Sequence, residues 1–483
     1  MSLFGEHLRA VVEANKVNIY NLAKTAGIDR TIIHKIISSG RIPSDEYVRK
    51  LAEALPLSPE ERQRFLESYN ISKIGELRYR QRIQVKKLIE SIAHIENGNV
   101  PQISVTIHQS SGSEANTTAI GHFAVNNLVK SLIIEETIAS EAKQKIDFVI
   151  PVSYQYFYNE LLACYLSNPG LRIRHIIAFS KKANFTDNHN GNVGLLSNVL
   201  PFAFAPGAGY YPYYFYSSSL DVELTHIMPY FMLTSSGKLV LISKDFDKAA
   251  LVCDSDIVAL YRERFSDALE QARPLMKRLS SITEVLGHCI DSDIDDIDTP
   301  SHWIEPEPCI GPLVTDKEID IRIKQDIPQR DELLQLICAH YGFLRKNQLS
   351  NINVCTTDGL YRMLDSGFIY NAPTEIMNPF IRDDIKALLV RLRDRIHNDK
   401  VKVLFTNPSK IKVPSKTLLQ INRKTGINFI MFDRAASDFR AVCLSEDSID
   451  EAFADFVENI EGSELVYNEK DSLAVLNSVI NEL

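Results

Sequence analysis

Apolar positions in residues 17–44 recur at helical spacing in two short runs: Leu22, Ala23 and Ala26, then Ile32, Ile33 and Ile36. Between them Ala26-Gly27-Ile28 predicts a tight turn, because glycine admits the left-handed backbone that the turn needs. Asn18 and Asp29 suit the N-caps of the two helices, each offering a side-chain oxygen to unpaired backbone N–H groups. Gly40 and Pro43 stop the second helix. The polar face that remains carries Arg30, Thr31, His34 and Lys35. Two helices joined in this way present the second to a DNA major groove.

Ser58-Pro59-Glu60-Glu61 opens a further helix ending near Tyr69, and residues 72–96 read as one longer helix. Its first half is basic (Arg78, Arg80, Arg82, Lys86, Lys87); its second carries an apolar seam of Val85, Leu88, Ile92 and Ile95. That seam fits either pairing with a second subunit or packing on the chain's own body. Asn97-Gly98-Asn99-Val100-Pro101 marks a domain boundary.

Beyond residue 101 strands and helices alternate, which predicts an α/β body. Strands are expected at 103–107, 147–150 and 171–179, and helices at 117–140 and 154–167. A hairpin, Tyr230–Leu233 and Lys238–Ile242, precedes a helix from about Asp256 to Leu279. The ending recurs: Thr417–Ile421, a turn at Lys424-Thr425-Gly426 and Ile427–Met431 mirror the hairpin, with Gly426 in the place of Gly237. Leu251–Ile257 then resembles Cys443–Ile449, with Tyr261 matching Phe453. Upstream, helix 382–397 with strand 401–405 parallels helix 154–167 with strand 171–179. The expected organisation is a helix-turn-helix domain at 1–70, a linker or dimerisation helix at 71–100, and related α/β units at 101–285 and 315–483. Asp291-Ser292-Asp293 and the acidic run after it read as a solvated linker, 286–314.

Charge separates the two ends of the chain. Residues 1–95 hold 16 Lys and Arg against 11 Asp and Glu, whereas the rest holds 37 against 51. The whole-chain charge of −9 hides a basic module on an acidic body, as expected of a domain that meets phosphate. No apolar run reaches the roughly 20 residues needed to cross a bilayer. No membrane partner is therefore expected, and a cytoplasmic location is. Seven scattered cysteines without a C-x-x-C pair argue for reduced thiols and against a zinc site. No cofactor fingerprint, Walker loop, G-x-S-x-G or H-E-x-x-H occurs, so no enzyme activity is expected. Tyr210, Tyr211, Tyr213 and Tyr214 follow a glycine-rich bend and, with Tyr154, form a candidate ligand-binding wall. A strand stacked in the sheet and a protein interface are the other readings of that cluster.

The run Leu22-Ala23-Lys24-Thr25-Ala26-Gly27-Ile28, with Ile33, Ile36, Pro43-Ser44 and Val48–Leu55, resembles the Xre family, the phage-repressor type of helix-turn-helix, over residues 3–70. Ile19 and Ile37 depart from it, standing where the family often has Gln and Glu. The resemblance implies double-stranded DNA as partner, read by a homodimer. Arg30, Thr31, His34 and Lys35 would face the groove, and Asn18, Lys16, Lys24 and Arg41 the backbone. The doubled α/β body is similar in arrangement to the phospholipase-D superfamily, without its H-x-K-x-x-x-x-D string; neither His226 nor His397 has Lys two residues on. That likeness implies a catalytically silent body that senses a small-molecule or protein effector. The expected function is a sequence-specific transcriptional regulator. A DNA-targeted phosphodiesterase or nuclease, or a scaffold recruiting a protein to DNA, are the alternatives.

Overall fold

A computed structural model describes residues 2–96, 116–139, 144–180, 191–205, 207–216, 228–295, 299–346, 351–370, 374–398, 401–433 and 438–483. They fall into two compact units, Met1–Ile83 and Gln84–Leu483.

The first unit contains five complete helices: α1 Leu3–Ala14, α2 Ile19–Ala26, α3 Arg30–Ser39, α4 Asp45–Ala54 and α5 Pro59–Ile74. Phe4, Leu8, Leu22, Ile33, Ile36, Leu51 and Phe65 form its core. Helices α1 and α3 approach so closely that a Cβ on Gly5 would lie 2.5 Å from the Ile36 carbonyl oxygen. Helix α5 starts at Ser58 with a reciprocal capping box to Glu61 and runs past the expected end at Tyr69 to Ile74.

Helix α6, Glu76–Glu96, begins in the first unit and ends in the second. Its seam does not wait for a second subunit: Val85, Leu88, Ile89 and Ile92 are buried in the core of the body, with Ile95 packed against it. Of the two expected partners for this seam, the chain's own body is the one it meets. An apolar stripe is satisfied by whichever apolar surface is nearest, and a tethered one has the concentration advantage. The Glu96 carboxylate then accepts from the Ser415 amide at 2.7 Å, the Lys416 amide at 3.1 Å and the Thr417 hydroxyl, fixing the helix end to the chain entering a strand.

The second unit is a duplication. Its first sheet holds β1 Thr117–Ile120, β2 Lys145–Val149, β3 Arg172–Phe179, β4 Tyr210–Tyr216, β5 Tyr230–Thr234, β6 Leu239–Ile242, β7 Lys248–Val252 and β8 Arg273–Pro274, in the order β1-β7-β6-β5-β2-β3-β4-β8. The second holds β9 Met276–Leu279, β10 His302–Ile304, β11 Ile352–Cys355, β12 Lys402–Phe405, β13 Thr417–Asn422, β14 Gly426–Asp433 and β15 Asp438–Leu444, in the order β12-β11-β10-β13-β14-β15-β9. Strand for strand the orders superimpose, and so do the pairing senses: β2-β3-β4 and β10-β11-β12 are parallel, and the other shared pairings antiparallel. Even the short β8 has its counterpart, a bridge between Thr406 and Val466. Gly237 and Gly426 sit at the matching hairpin turns with φ of 84° and 95°.

Helices cover the sheets: α7 His122–Ile138, α8 Gln155–Ser167, α9 Gly191–Phe204 and α10 Ser255–Gln271 in the first repeat. In the second they are α11 Ile282–Asp295, α12 Asp316–Arg322, α13 Arg330–Lys346, α14 Thr357–Ser366, α15 Arg382–His397, α16 Asp447–Glu458 and α17 Glu469–Glu482. The expected alignment of the hairpin, the acidic N-cap (Asp254, Glu446) and the following helix matches this topology.

Four expectations are corrected. The helix drawn to Leu279 stops at Gln271, and 276–279 is the strand that opens the second repeat. The acidic segment 286–314 is not a linker: α11 occupies its start, and residues 301–308 are all buried around central strand β10. The charge run masked an apolar His302-Trp303-Ile304 triplet that pairs on both sides. Strand 402–405 corresponds to β4, not to β3, whose partner in the second repeat is β11. The helix expected at 117–140 opens instead with edge strand β1. The expected strand at 103–107 and the boundary at 97–101 lie outside the described residues. No described helix is long and apolar enough to cross a membrane.

Candidate nucleic-acid interface

Local chemistry sets the ends of α2 and α3. The Asn18 side chain accepts from the Tyr20 amide at 2.8 Å and opens α2, which Gly27 ends in the left-handed conformation with φ of 62°. The Asp29 carboxylate accepts from the Thr31 amide and hydroxyl, both at 2.7 Å, and Gly40 (φ 69°) ends α3. Those hydrogen bonds from Thr31 also hold the Asp29 carboxyl below the usual carboxylate range. Ile33 and Ile36 are fully buried. Their side chains therefore orient the rest of α3 outward.

All eight expected DNA contacts are exposed: Lys16, Asn18, Lys24, Arg30, Thr31, His34, Lys35 and Arg41. Arg30, Thr31, His34 and Lys35 share one face of α3, whose far end carries Ser38, bonded to the His34 carbonyl at 2.7 Å. Arg9 ties α1 to α3 through the Ile37 carbonyl oxygen at 3.2 Å. Because the Thr31 hydroxyl proton goes to Asp29, that residue offers a duplex its methyl group and oxygen lone pairs. Those complement a thymine methyl or an amino donor. Beside the eight expected residues lies Tyr20, 61% exposed in the first turn of α2. The only signal for it was an aromatic residue on the polar side of a short amphipathic helix.

In the body, the tyrosine cluster is a strand, β4, and alternation divides it between two faces. Tyr210 and Tyr214 are buried, Tyr213 is half-buried and Tyr211 is exposed with the Arg172 guanidinium over its ring. The Tyr210 hydroxyl lies 3.0 Å from His175 Nδ1, and Tyr158 lies 3.0 Å from His175 Nε2 while donating to the Ile150 carbonyl. Tyr158 thus accepts from Nε2–H, and Nδ1 accepts from Tyr210. Burial pushes the His175 imidazole down to about 3, so it is neutral. Tyr154 is likewise occupied, donating to Asn126 at 2.7 Å and stacked 4.3 Å from Phe246. These five tyrosines do not converge on one cleft; they build the first repeat.

Among the described residues a mostly apolar cavity lies elsewhere, on the α11 side of the second sheet. Trp303 and Gln420 form part of its floor, and side chains of α11 and α13 roof it. Nearby, Glu305 is wholly buried beside Asn353, and burial raises its carboxyl to about 8. Among the described residues no group of three or more His, Cys, Asp or Glu side chains is placed to hold a metal ion.

Comparison with known proteins bears on the first unit. Residues 8–62 match the helix-turn-helix family model. No curated protein matches the chain. Solved structures show only faint similarity, and three illustrate it. TrmBL2, an archaeal chromatin protein described as showing a novel mode of DNA binding, is 11% identical over 56% of this chain and 99% of its own, with a TM-score of 0.23. Polyphosphate kinase from Porphyromonas gingivalis is 11% identical over 79% of this chain and 59% of its own, at 0.23. Phosphatidylserine synthase from Haemophilus influenzae Rd KW20 is 9% identical over 81% and 96%, at 0.24. Scores this low carry nothing to this chain.

Proposed function

We propose that this chain, a helix-turn-helix protein over residues 8–62, is a sequence-specific DNA-binding transcriptional regulator of the Xre type. The observation that carries the reading is the division of α3: two isoleucines buried, and Arg30, Thr31, His34 and Lys35 together in solvent. Arg30 and Lys35 supply base-edge and phosphate contacts, with Lys16, Lys24 and Arg41 on the flanking backbone. The body, a doubled sheet, acts as the effector-sensing part, in the manner of catalytically silent phospholipase-D-like domains. Two copies read two half-sites, pairing through a surface other than the α6 seam. A cytoplasmic location follows from that role.

The test is selection of an operator from random duplexes by the full chain, followed by gel-shift titration. Arg30→Ala with Lys35→Ala is expected to weaken operator binding by about 2–5 kcal/mol, the worth of one base and one phosphate contact. A folded double variant with unchanged affinity overturns the assignment. Metal-dependent hydrolysis of the selected duplex would replace it with the nuclease reading.

A further inference from the structure

We infer that the cavity of the second repeat is a binding site for a small, uncharged, largely apolar molecule bearing one hydrogen-bonding group. The cavity measures about 100 Å³. That is somewhat below the roughly 150 Å³ that an engineered apolar cavity needs to take benzene. Its described lining is aliphatic and aromatic, with Cys309, His340, Gln420 and two tyrosine hydroxyls as the polar exceptions and no Lys, Arg, Asp or Glu. An ion would be desolvated there without a partner, which excludes phosphorylated ligands.

The duplication shows that the space is built in. In the first repeat the cross-strand row on this face is Phe148, Met232, Val240 and Leu251. The same row in the second is Trp303, Gln420, Asn428 and Cys443. Apolar residues fill the one; the other carries two amides, of which Gln420 lines the cavity and Asn428 lies behind it. Gln420 is 5% exposed and spends its Oε1 on Cys289 Sγ and Asn428 Nδ2, both at 3.3 Å, which leaves its Nε2–H groups for a cavity occupant. Asn428 Oδ1, also buried, has no hydrogen-bond partner among the described residues. Native cores rarely keep such atoms without a use.

The cavity wall also touches the anchor of α6. Tyr370 and Leu418 line it; the Tyr370 hydroxyl bonds the Lys416 carbonyl, and the Lys416 amide bonds Glu96 at the end of α6. A molecule that shifts Tyr370 or Leu418 therefore acts on the residues holding the helix that leads to the DNA-binding unit. Use of the site for an effector rests on the regulator reading; the binding itself does not.

Trp303 is the chain's single tryptophan, so its fluorescence reports the cavity directly. Titration of the full chain with 2-propanol is expected to give a saturable change, with a midpoint of about tens of millimolar, as suits about four non-hydrogen atoms. Acetate, of the same size but charged, should give none. Val285→Phe and Ile337→Phe, which fill the space from α11 and α13, should each abolish the response in a chain that melts cooperatively. Gln420→Leu should weaken it about fivefold, the worth of one hydrogen bond. No saturation, equal binding of the carboxylate, or an undiminished response in both folded filling variants overturns the site. Saturation of Trp303 without at least a threefold change in operator affinity leaves the site and removes its regulatory role. Failure to select any operator defeats the regulator reading and leaves the Trp303 titration to stand alone.

Discussion

The two repeats share one strand order, yet they differ in what they bury. The first repeat holds a neutral base, His175, fully buried between Tyr158 and Tyr210, and also buries Glu136, Asp147 and Glu160. The second buries His302 as well, and two of its acids, Glu305 and Asp450, are raised to about 8 by desolvation. The first fills its α7-side row with Phe148, Met232 and Val240; the second lines the equivalent row with Gln420 and Asn428 beside a cavity. A duplicated topology needs only the pleat and the hydrophobic face, so each copy is free to change what it buries. The first repeat fills its row with apolar side chains, and the second leaves an internal space beside its row.

The sharpest way to break that comparison is to exchange the rows. Met232→Gln with Val240→Asn should destabilise the chain by about 5 kcal/mol, since apolar burial is lost and amides are left without partners. Gln420→Met with Asn428→Val should be neutral or stabilising by about 1–2 kcal/mol, because partly satisfied amides are removed. Urea denaturation of both variants measures the asymmetry, and equal costs would mean that the rows are equivalent after all.

Acid and base should act on single buried groups in opposite directions. His175 has its folded value depressed, so between about pH 6.5 and 3 the unfolded chain binds the extra proton and stability falls as pH falls. Glu305 and Asp450 have theirs raised, so from about pH 4.5 to 8 the folded chain holds the extra protons and stability falls as pH rises. Glu305→Gln should therefore gain about 3–4 kcal/mol more relative to wild type at pH 8 than at pH 5. Matched denaturant titrations at the two pH values test this, and a pH-independent difference would show that Glu305 is ionised in the folded chain throughout.

The smallest effect belongs to the DNA-binding unit, whose shape rests on local signals. Gly27→Ala meets no neighbouring atom, so the positive φ of 62° alone sets its cost, about 1 kcal/mol. Thermal melting of the full chain, read by amide exchange in α2 and α3, should register it there and not in the body.

Those local signals are why the first unit was legible. Asn18, Gly27, Asp29, Gly40 and the Ser58–Glu61 box act within four residues of themselves, and each is found in its expected role. All eight expected contact residues are exposed for the same reason: helical periodicity alone divides an amphipathic surface. The hairpin-to-helix repeat was legible too, since Gly237 with Gly426 and Asp254 with Glu446 leave local marks. The upstream correspondence was not. Strand β10 is three residues long and lies within a charged stretch, and its strand character comes from neighbours about 50 and 120 residues away in the chain.

Sequence by itself determined the reading helix, its caps, its outward charges and the existence of a repeated α/β body, because each depends on contacts between near neighbours. Tertiary structure alone decided that the α6 seam closes on its own chain, that the tyrosines serve the first sheet, and that a hollow remains beside Trp303 and Gln420. Volume and burial are sums over residues far apart along the chain, and no stretch of sequence contains them.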